Sequence, residues 1–181
     1  MALVVEDATL LARAAAGDDR AFAAIYEAHR RPMFRLAYGI LLDADEARDA
    51  VQEAFLRLHR AAPSWEPRAA VRTWLHRVVL NHCLSLRQRL VRMIFAPPPE
   101  RETRDSPETK ALAREAVVAV ERSLETLPMK QRAVVCLHLE EELDPSEIAP
   151  LVGMTPNATR VTLHRALTKL RSDLSIEEKP S

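Results

Sequence analysis

Residues 63–92, PSWEPRAAVRTWLHRVVLNHCLSLRQRLVR, join a proline-bracketed loop to a long helical pattern. A residue that precedes proline is disfavoured in the helical region, so Pro63 and Pro67 predict that the loop lasts until about Ala69. Beyond it, apolar side chains recur every three or four positions, which predicts a helix with one core-facing stripe. That stripe consists of Val71, Leu75, Val78, His82, Leu86 and Leu90.

A different face of the same helix is polar, aromatic and basic. Residues 61–95 hold six arginines and a single acid, Glu66, which gives a net charge of +5. Such a face is either an ordinary solvated surface or a nucleic-acid surface, on which arginines hold phosphates and an aromatic ring stacks on an unpaired base. The residues on or beside this face are Arg72, Trp74, Arg77, Asn81, Ser85, Arg87, Gln88 and Arg89.

Composition favours an all-α protein. The chain has 181 residues, only 3 glycines and 4% aromatic residues, and it lacks the alternating β-branched runs that are typical of strands. Its formal net charge is zero, but the charges are segregated. Residues 151–175 carry +3, from four cations and one acid, and residues 124–150 carry −4, from two cations and six acids. Basic patches of this kind are compatible with nucleic-acid binding even in a neutral chain.

The segment APPPERETRDSP, residues 96–107, predicts the domain organisation. Three successive prolines and alternating charges cannot form a core, and they indicate an extended linker. We therefore expect two small helical domains, residues 1–95 and 108–181, joined by a Pro-rich extended linker. Ser106-Pro107 is expected to restart a helix with apolar residues at Leu112, Val117, Val120 and Leu124.

The two cysteines and the first residues of the sequence indicate the cellular compartment of the protein. Cys83 and Cys136 lie inside apolar helical runs, which is typical of buried, reduced thiols in the cytosol. No cationic segment followed by a long apolar core begins the sequence, and no apolar run approaches 18 residues. A cytoplasmic protein is expected.

The N-terminal third predicts several short helices. The first begins near Asp7 and stops at Gly17, Asp18 caps Arg20–His29, and Pro32 restarts the helix as Met33–Leu42. Asp43 and Glu46 form a capping box for Ala44–Arg60. The apolar stripe of that helix is Ala47, Val51, Ala54, Phe55 and Leu58, and its other faces carry Asp45, Glu46, Asp49, Gln52 and Glu53. Acids in the first turns also suit the helix dipole, so this polar face has a purely structural explanation too.

The last third predicts a helix-turn-helix. Asp144-Pro145-Ser146-Glu147 and Thr155-Pro156 each combine an N-cap with a proline in the first helical position. A tight turn at Gly153 joins the two helices. The second helix would present Thr155, Asn157, Thr159, Arg160, Thr162, His164 and Arg165 to the major groove of DNA. A helical hairpin without a DNA role is the alternative.

Both halves resemble one known family. WLHRVVLNHCLSLRQR is similar to the promoter-melting helix of the extracytoplasmic-function sigma factors, of the sigma-70 family, and DADEARDAVQEAFLRLHRA precedes it in the family's order. LETLP, QRAVV, SEIA, LVGMT and LHRA follow the order of the family's promoter-upstream domain. The resemblance covers residues 7–174. Arg48, Ser85, Thr159, Val161 and Thr162 differ from the usual family pattern.

The resemblance implies roles for individual residues. The helix that contains VQE docks on a coiled coil of the RNA polymerase core, which assigns core binding to Asp49, Gln52 and Glu53. Melting of the −10 promoter DNA falls to Trp65, Arg72, Trp74, Arg77, Asn81, Ser85 and Arg87. Recognition of the −35 element falls to the seven helix-turn-helix residues named above. Core polymerase and promoter DNA are the implied partners, together with an anti-sigma factor.

Two other functional classes are weighed against this one. A dimeric helix-turn-helix regulator explains residues 124–174 but gives no role to Trp74, Asn81 or the Gln52 helix. An enzyme or metal protein would have to use His76, His82 and Cys83, whose spacing fits no zinc motif. No P-loop or other Gly-rich loop is present. We expect no catalytic residue, cofactor, metal or small-molecule substrate.

Overall fold

The computed structural model describes the backbone of residues 2–66, 70–93 and 111–174, and the side chains of residues 6–66, 70–85 and 115–174. Every regular element in these ranges is helical, which confirms the predicted all-α class. The elements are α1 (Ala2–Ala15), α2 (Asp19–Leu41), α3 (Ala44–Ala61), a 3-10 turn (Ala62–Ser64), α4 (Val71–Met93), α5 (Ala111–Glu125), α6 (Met129–Glu141), α7 (Pro145–Val152) and α8 (Pro156–Asp173).

Helix α2 lies at the centre of the fold, where it packs against α1, α3, α4 and α6. Asp18 caps it as predicted, through the amides of Arg20 and Ala21. The predicted interruption at Pro32 is wrong, because α2 continues through this residue. An internal proline costs about 3 kcal/mol, but buried side chains on both sides of it hold the helix together. They are Ala21, Ile25, Met33, Leu36, Ala37 and Ile40.

Helices α3 and α4 complete the N-terminal part. The predicted stripe of α3 is confirmed, since Ala47, Val51, Ala54, Phe55 and Leu58 are all buried. Asp43 caps this helix through the amides of Asp45 and Glu46. The stripe of α4 is partly wrong: Val78 and His82 are only half-buried, while His76, Val79, Leu80 and Cys83 are buried beside Val71 and Leu75. Helix α4 contacts α2 and α3 and also α6 and α7, so its buried face is wider than a single stripe.

The helix-turn-helix is confirmed as α7 and α8. The capping box of Asp144 and Glu147 is complete, and Gly153 ends α7 with a φ of 65°, a left-handed conformation that glycine adopts without strain. Pro150 lies inside α7, and Thr155 caps α8 through the amide of Ala158. On α5, by contrast, Val117 and Val120 are exposed, so the predicted apolar face of this helix is not buried along its length.

The N-terminal part (α1–α4) and the C-terminal part (α5–α8) pack against each other. Helices α2 and α6 form the main contact, and buried residues of both parts make one continuous apolar cluster. The two backbones approach closely where Gly39 faces Cys136, because a Cβ atom on Gly39 would lie 2.7 Å from the Cys136 Sγ. Nearby, the buried guanidinium of Arg132 donates from Nη1 to the Ile40 carbonyl, at 2.8 Å. This carbonyl belongs to the last turn of α2, where a cation is favourable.

The predicted linker, residues 96–107, lies outside the described residues, as does the helix start at Ser106-Pro107. Within the described part of the chain, no helix is long and apolar enough to cross a membrane.

The Asp144 cap gives a first testable prediction. Asp144→Ala is expected to lower the free energy of unfolding by about 0.5–2 kcal/mol, because it removes the acceptor for the amides of Ser146 and Glu147. Asp144→Asn is the matched control and should cost much less, since asparagine is also a good N-cap. Urea denaturation followed by circular dichroism measures both. Equal losses for the two variants would contradict a capping role.

Candidate functional site

The exposed side of α4 carries the polar face that the sequence predicted. Arg77, Asn81 and Ser85 are exposed, and they follow one another at spacings of four residues on one side of the helix. The Ser85 hydroxyl donates to the His82 carbonyl at 2.9 Å. A stripe that begins with a cation and continues with an amide and a hydroxyl can hold a phosphate and bind base edges. The Arg87 side chain lies outside the described residues.

The two tryptophans pair with each other. The Trp65 and Trp74 ring centroids are 5.7 Å apart with planes at 73°, an edge-to-face arrangement, and both side chains are half-buried against the core. Such a pair is worth about 0.5–1.5 kcal/mol beyond its buried area. Trp74 is therefore fixed by Trp65 and by the core, and only part of its surface remains available to a base.

Arg72, the other cation assigned to DNA on α4, is held by the C-terminal part of the chain. Its Nη2 donates to Oε2 of Glu141 at 2.6 Å and its Nε donates to the same oxygen at 3.1 Å. His76 Nε2 lies 2.9 Å from that oxygen. The Glu141 side chain is 0% exposed, whereas Arg72 is 50% exposed. Burial alone would raise the pKa of Glu141, but the contacts with His76 and Arg72 outweigh it and hold the pKa below its usual value.

Helix α3 separates two open grooves. The first, between α2 and α3, has a volume of about 1190 Å³ and is mostly apolar; we call it the aromatic groove. The second, the polar groove, has a volume of about 540 Å³ and lies between α3 and α4. Gln52 and Leu56 line both, so they form the ridge between them. The polar groove also contains Asp49, Glu53, Arg57, His82 and Ser85.

The three residues predicted to bind core polymerase therefore share one surface. Asp49 and Gln52 are exposed, and Glu53 is half-buried. Glu53 accepts a hydrogen bond from Arg57 at 2.6 Å, and this bond is the main reason that the pKa of Glu53 lies below its usual value. The structure also brings Ser85 into the same groove, which joins the predicted core-binding residues to one residue of the predicted DNA face.

The aromatic groove was not predicted. Tyr26 packs edge-on against Phe55 with 4.8 Å between ring centroids, and Phe22 lies 5.0 Å from the His59 ring. Tyr26 and Leu56 are 39% and 43% exposed, and with the other apolar side chains of the groove they leave a contiguous apolar surface open to solvent. The available signal was that Leu56 falls off the apolar stripe of α3. The cations that line this groove are Arg30, Arg31, Arg35 and Arg48.

Helix α8 presents most, but not all, of its predicted residues. Thr155, Asn157, Arg160, His164 and Arg165 are exposed, and Thr162 is half-buried. Thr159 is 0% exposed, and its hydroxyl donates to the Thr155 carbonyl at 3.0 Å. Its expected contact with DNA is therefore corrected: Thr159 faces the core, because one face of α8 must pack against α6 and α7.

The residues considered for a metal site are used otherwise. His76 lies against Glu141, Cys83 is buried, and His82 lines the polar groove. Burial raises the pKa of the Cys83 thiol to about 12, which disfavours the thiolate that binds metal. Among the described residues, no three His, Cys, Asp or Glu side chains form a group that could hold a metal ion.

Comparison with known proteins matches both parts of the chain. The family model for Sigma-70 region 2 matches residues 25–93, and that for Sigma-70, region 4 matches residues 118–170. The ECF RNA polymerase sigma factor SigM of Mycobacterium tuberculosis is 35% identical over 164 residues, which cover 91% of this chain and 82% of the relative.

Two solved structures share the fold. The structure of CnrH in complex with the cytosolic domain of CnrY has a TM-score of 0.71 and 24% identity, and the match covers 96% of this chain and 99% of that one. The sigma factor RpoE from Bartonella quintana, in complex with the anti-sigma factor NepR, has a TM-score of 0.72 and 18% identity, with 87% and 98% covered. From these matches, and from the identity with SigM in particular, we conclude that the chain is an RNA polymerase sigma factor of the extracytoplasmic-function group of the sigma-70 family.

Proposed function

We propose that the exposed face of α4, with Arg77, Asn81 and Ser85 in one row, captures the separated strand of promoter DNA near −10. The observation that carries this proposal is the row itself, because three polar side chains stay exposed one turn apart on a helix whose opposite side is buried in the core. Trp65 and Trp74 support the beginning of the row as a packed pair. Arg72 joins the DNA surface once it is free of Glu141.

The ridge of α3 is proposed to dock on the polymerase core. Asp49, Gln52 and Glu53 provide the acidic and amide groups, and the adjoining aromatic groove offers apolar area with cations at its edge. Interface energy is usually concentrated in buried aromatic and apolar anchors, with polar groups at the rim. Tyr26 and Leu56 would be such anchors.

The start of α8 is proposed to read the −35 element. Its N-terminus is capped and its exposed residues include two arginines, which suit phosphate contact and guanine recognition. The proposed contacts are Thr155, Asn157, Arg160, Thr162, His164 and Arg165. A dimeric helix-turn-helix regulator would use only this part of the chain and would leave the α3 ridge and the α4 row without a role.

The remaining parts of the proposal concern organisation and partners. Residues 1–95 bind core polymerase and melt the promoter, and residues 108–181 recognise duplex DNA. Residues 96–107 link these two domains. The protein acts in the cytoplasm as a binding subunit without catalytic chemistry of its own. The structure of the Bartonella quintana relative contains an anti-sigma factor. We therefore propose that an anti-sigma factor also binds this chain.

Run-off transcription tests the proposed function. The protein and core polymerase are expected to start transcription at defined positions on genomic fragments, whereas core alone is not. The Arg160→Ala/Arg165→Ala variant should lower promoter-specific transcripts at least about 30-fold, because two lost contacts of about 1–3 kcal/mol each remove about 2 kcal/mol or more. A control at two exposed positions of α5 and α8 outside this set, Arg122→Ala/Arg171→Ala, should retain most activity. Transcripts that are independent of the added protein would refute the proposal.

A further inference from the structure

The contact between the N-terminal and C-terminal parts joins opposite charges. Arg35 Nε donates to Oε2 of Glu140 at 2.7 Å, and Arg72 donates to Glu141, the next residue of α6. Both acids belong to the segment that carries −4, and Arg72 belongs to the segment that carries +5. The charge segregation in the sequence is thus partly neutralised inside the folded chain.

Glu141 differs from an ordinary surface partner of an arginine. Arg72 Nε, Arg72 Nη2 and His76 Nε2 all converge on one of its oxygens within 3.1 Å. The other oxygen, Oε1, has no hydrogen-bond partner among the described residues. A fully buried carboxylate with one unpaired oxygen is costly unless the Arg72 guanidinium stays in place beside it. Removing Arg72 from Glu141 therefore destabilises the packed arrangement.

A DNA phosphate offers Arg72 the same chemistry as this carboxylate. Both are oxyanions that accept two charge-assisted hydrogen bonds from one guanidinium. Both bonds leave from the Nε–Nη2 edge of Arg72, so a phosphate that binds bidentately to this edge must displace the Glu141 carboxylate. The half of Arg72 that is exposed marks the side from which a phosphate can approach.

We propose that Glu141 is a built-in substitute for a DNA phosphate, which holds Arg72 in a closed form of the free protein and is displaced when DNA binds. This inference rests on the DNA role proposed above for α4. It assigns Glu141 and His76 to the control of DNA binding rather than to DNA contact. In the closed form α6 covers α2 and α4, and in the open form it releases both.

Cys136 provides a reporter of opening that does not depend on DNA function. The chain has only 2 cysteines, so Cys83→Ala leaves Cys136 as the single thiol. Cys136 packs against Gly39 across the contact, and burial raises its pKa to about 12. Its alkylation by N-ethylmaleimide at pH 8 is expected to be slow in the closed form and fast in the open form, where the thiol ionises normally.

The test compares full-length variants in the Cys83→Ala background. Glu141→Gln keeps the shape of the side chain and removes its charge, and it should accelerate Cys136 alkylation roughly 10-fold, within the range of ordinary site coupling. Glu115→Gln removes an equal charge from an exposed position of α5 and should leave the rate within about twofold of the parent. Urea denaturation of each variant separates opening from global unfolding.

A second arm measures affinity for a fluorescent 20-nucleotide oligothymidylate by anisotropy. Glu141→Gln should bind it roughly fivefold more tightly, and Arg72→Gln/Glu141→Gln should lose that gain. If Glu141→Gln does not fold, the parent alone decides: saturating oligothymidylate should accelerate Cys136 alkylation. Unchanged alkylation in Glu141→Gln, or in the DNA-bound parent, would overturn the closed form. Faster alkylation of Glu141→Gln without tighter DNA binding would show that Arg72 does not contact DNA. The proposal that Glu141 substitutes for a DNA phosphate would then be wrong.

Discussion

Reversing the charges of Asp49 and Glu53 together, as D49K/E53K, is expected to abolish co-purification of the protein with RNA polymerase core. Both side chains line the polar groove beside Gln52. If these acids face cations of the core, lysines at the same positions would repel those cations at a cost of several kcal/mol. The helix itself should survive. The new lysine at position 53 would face Arg57 one turn away, and such a pair destabilises a helix by only about 0.2–0.5 kcal/mol.

The matched control changes net charge equally on other elements. E6K/E115K reverses two exposed acids, on α1 and α5, and should co-purify with core as the parent does. Circular dichroism and thermal melting check that both double variants fold. Retained core binding by D49K/E53K would show that the protein does not dock on core polymerase through this groove. Docking through Tyr26 and Leu56 of the aromatic groove would then be the remaining explanation.

Features set by local sequence were predicted best. The caps at Asp18, Asp43, Asp144 and Thr155 were found because a cap depends on one side chain and amides two or three residues ahead. The stripe of α3 was found because only one side of that helix is buried. The helix-turn-helix needed a glycine at one position of the turn, and Gly153 adopts the left-handed conformation there.

Features set by packing between distant elements were missed. The α4 stripe was misplaced because α6 and α7 bury a second side of the helix, which places His76 and Leu80 in the interior. Thr159 was assigned to DNA as one of the polar residues near the start of α8, but α6 and α7 bury the face on which it lies. The continuation of α2 through Pro32 likewise depends on partners that lie far away in the sequence.

The candidate site also contains features that local sequence predicts and features that depend on packing between distant elements. Arg77, Asn81 and Gln52 were identified from their own helices, and their exposure agrees with the roles expected of them. The link between Arg72 and Glu141 spans 69 residues, and no periodicity relates the two. The aromatic groove needs side chains from both α2 and α3, so a pattern within either helix reveals only one wall of it.

Removing two groups of the α4 row, as R77A/N81A, is expected to reduce open promoter complexes roughly 100-fold while core binding is retained. A hydrogen bond from a charged group contributes about 1.5–3 kcal/mol and one from a neutral group about 1 kcal/mol, and each 1.4 kcal/mol is a factor of ten. Both side chains are exposed, so the substitutions leave no buried polar group unpaired. Permanganate reactivity of unpaired thymines measures the open complex, and co-purification measures core binding.

A comparison of two promoter templates, one fully paired and one with unpaired bases, distinguishes strand capture from a general weakening of DNA binding. A promoter that already contains mismatched, unpaired bases near the start site does not need to be opened by protein contacts. On this template R77A/N81A should recover to within about tenfold of the parent, because the cost of unpairing, a few kcal/mol, no longer has to be met. R20A/S172A, which removes an arginine and a small polar residue from exposed positions of α2 and α8, should match the parent on both templates. Normal thymine reactivity of R77A/N81A on fully paired DNA would exclude Arg77 and Asn81 from promoter melting, because the variant lacks both side chains.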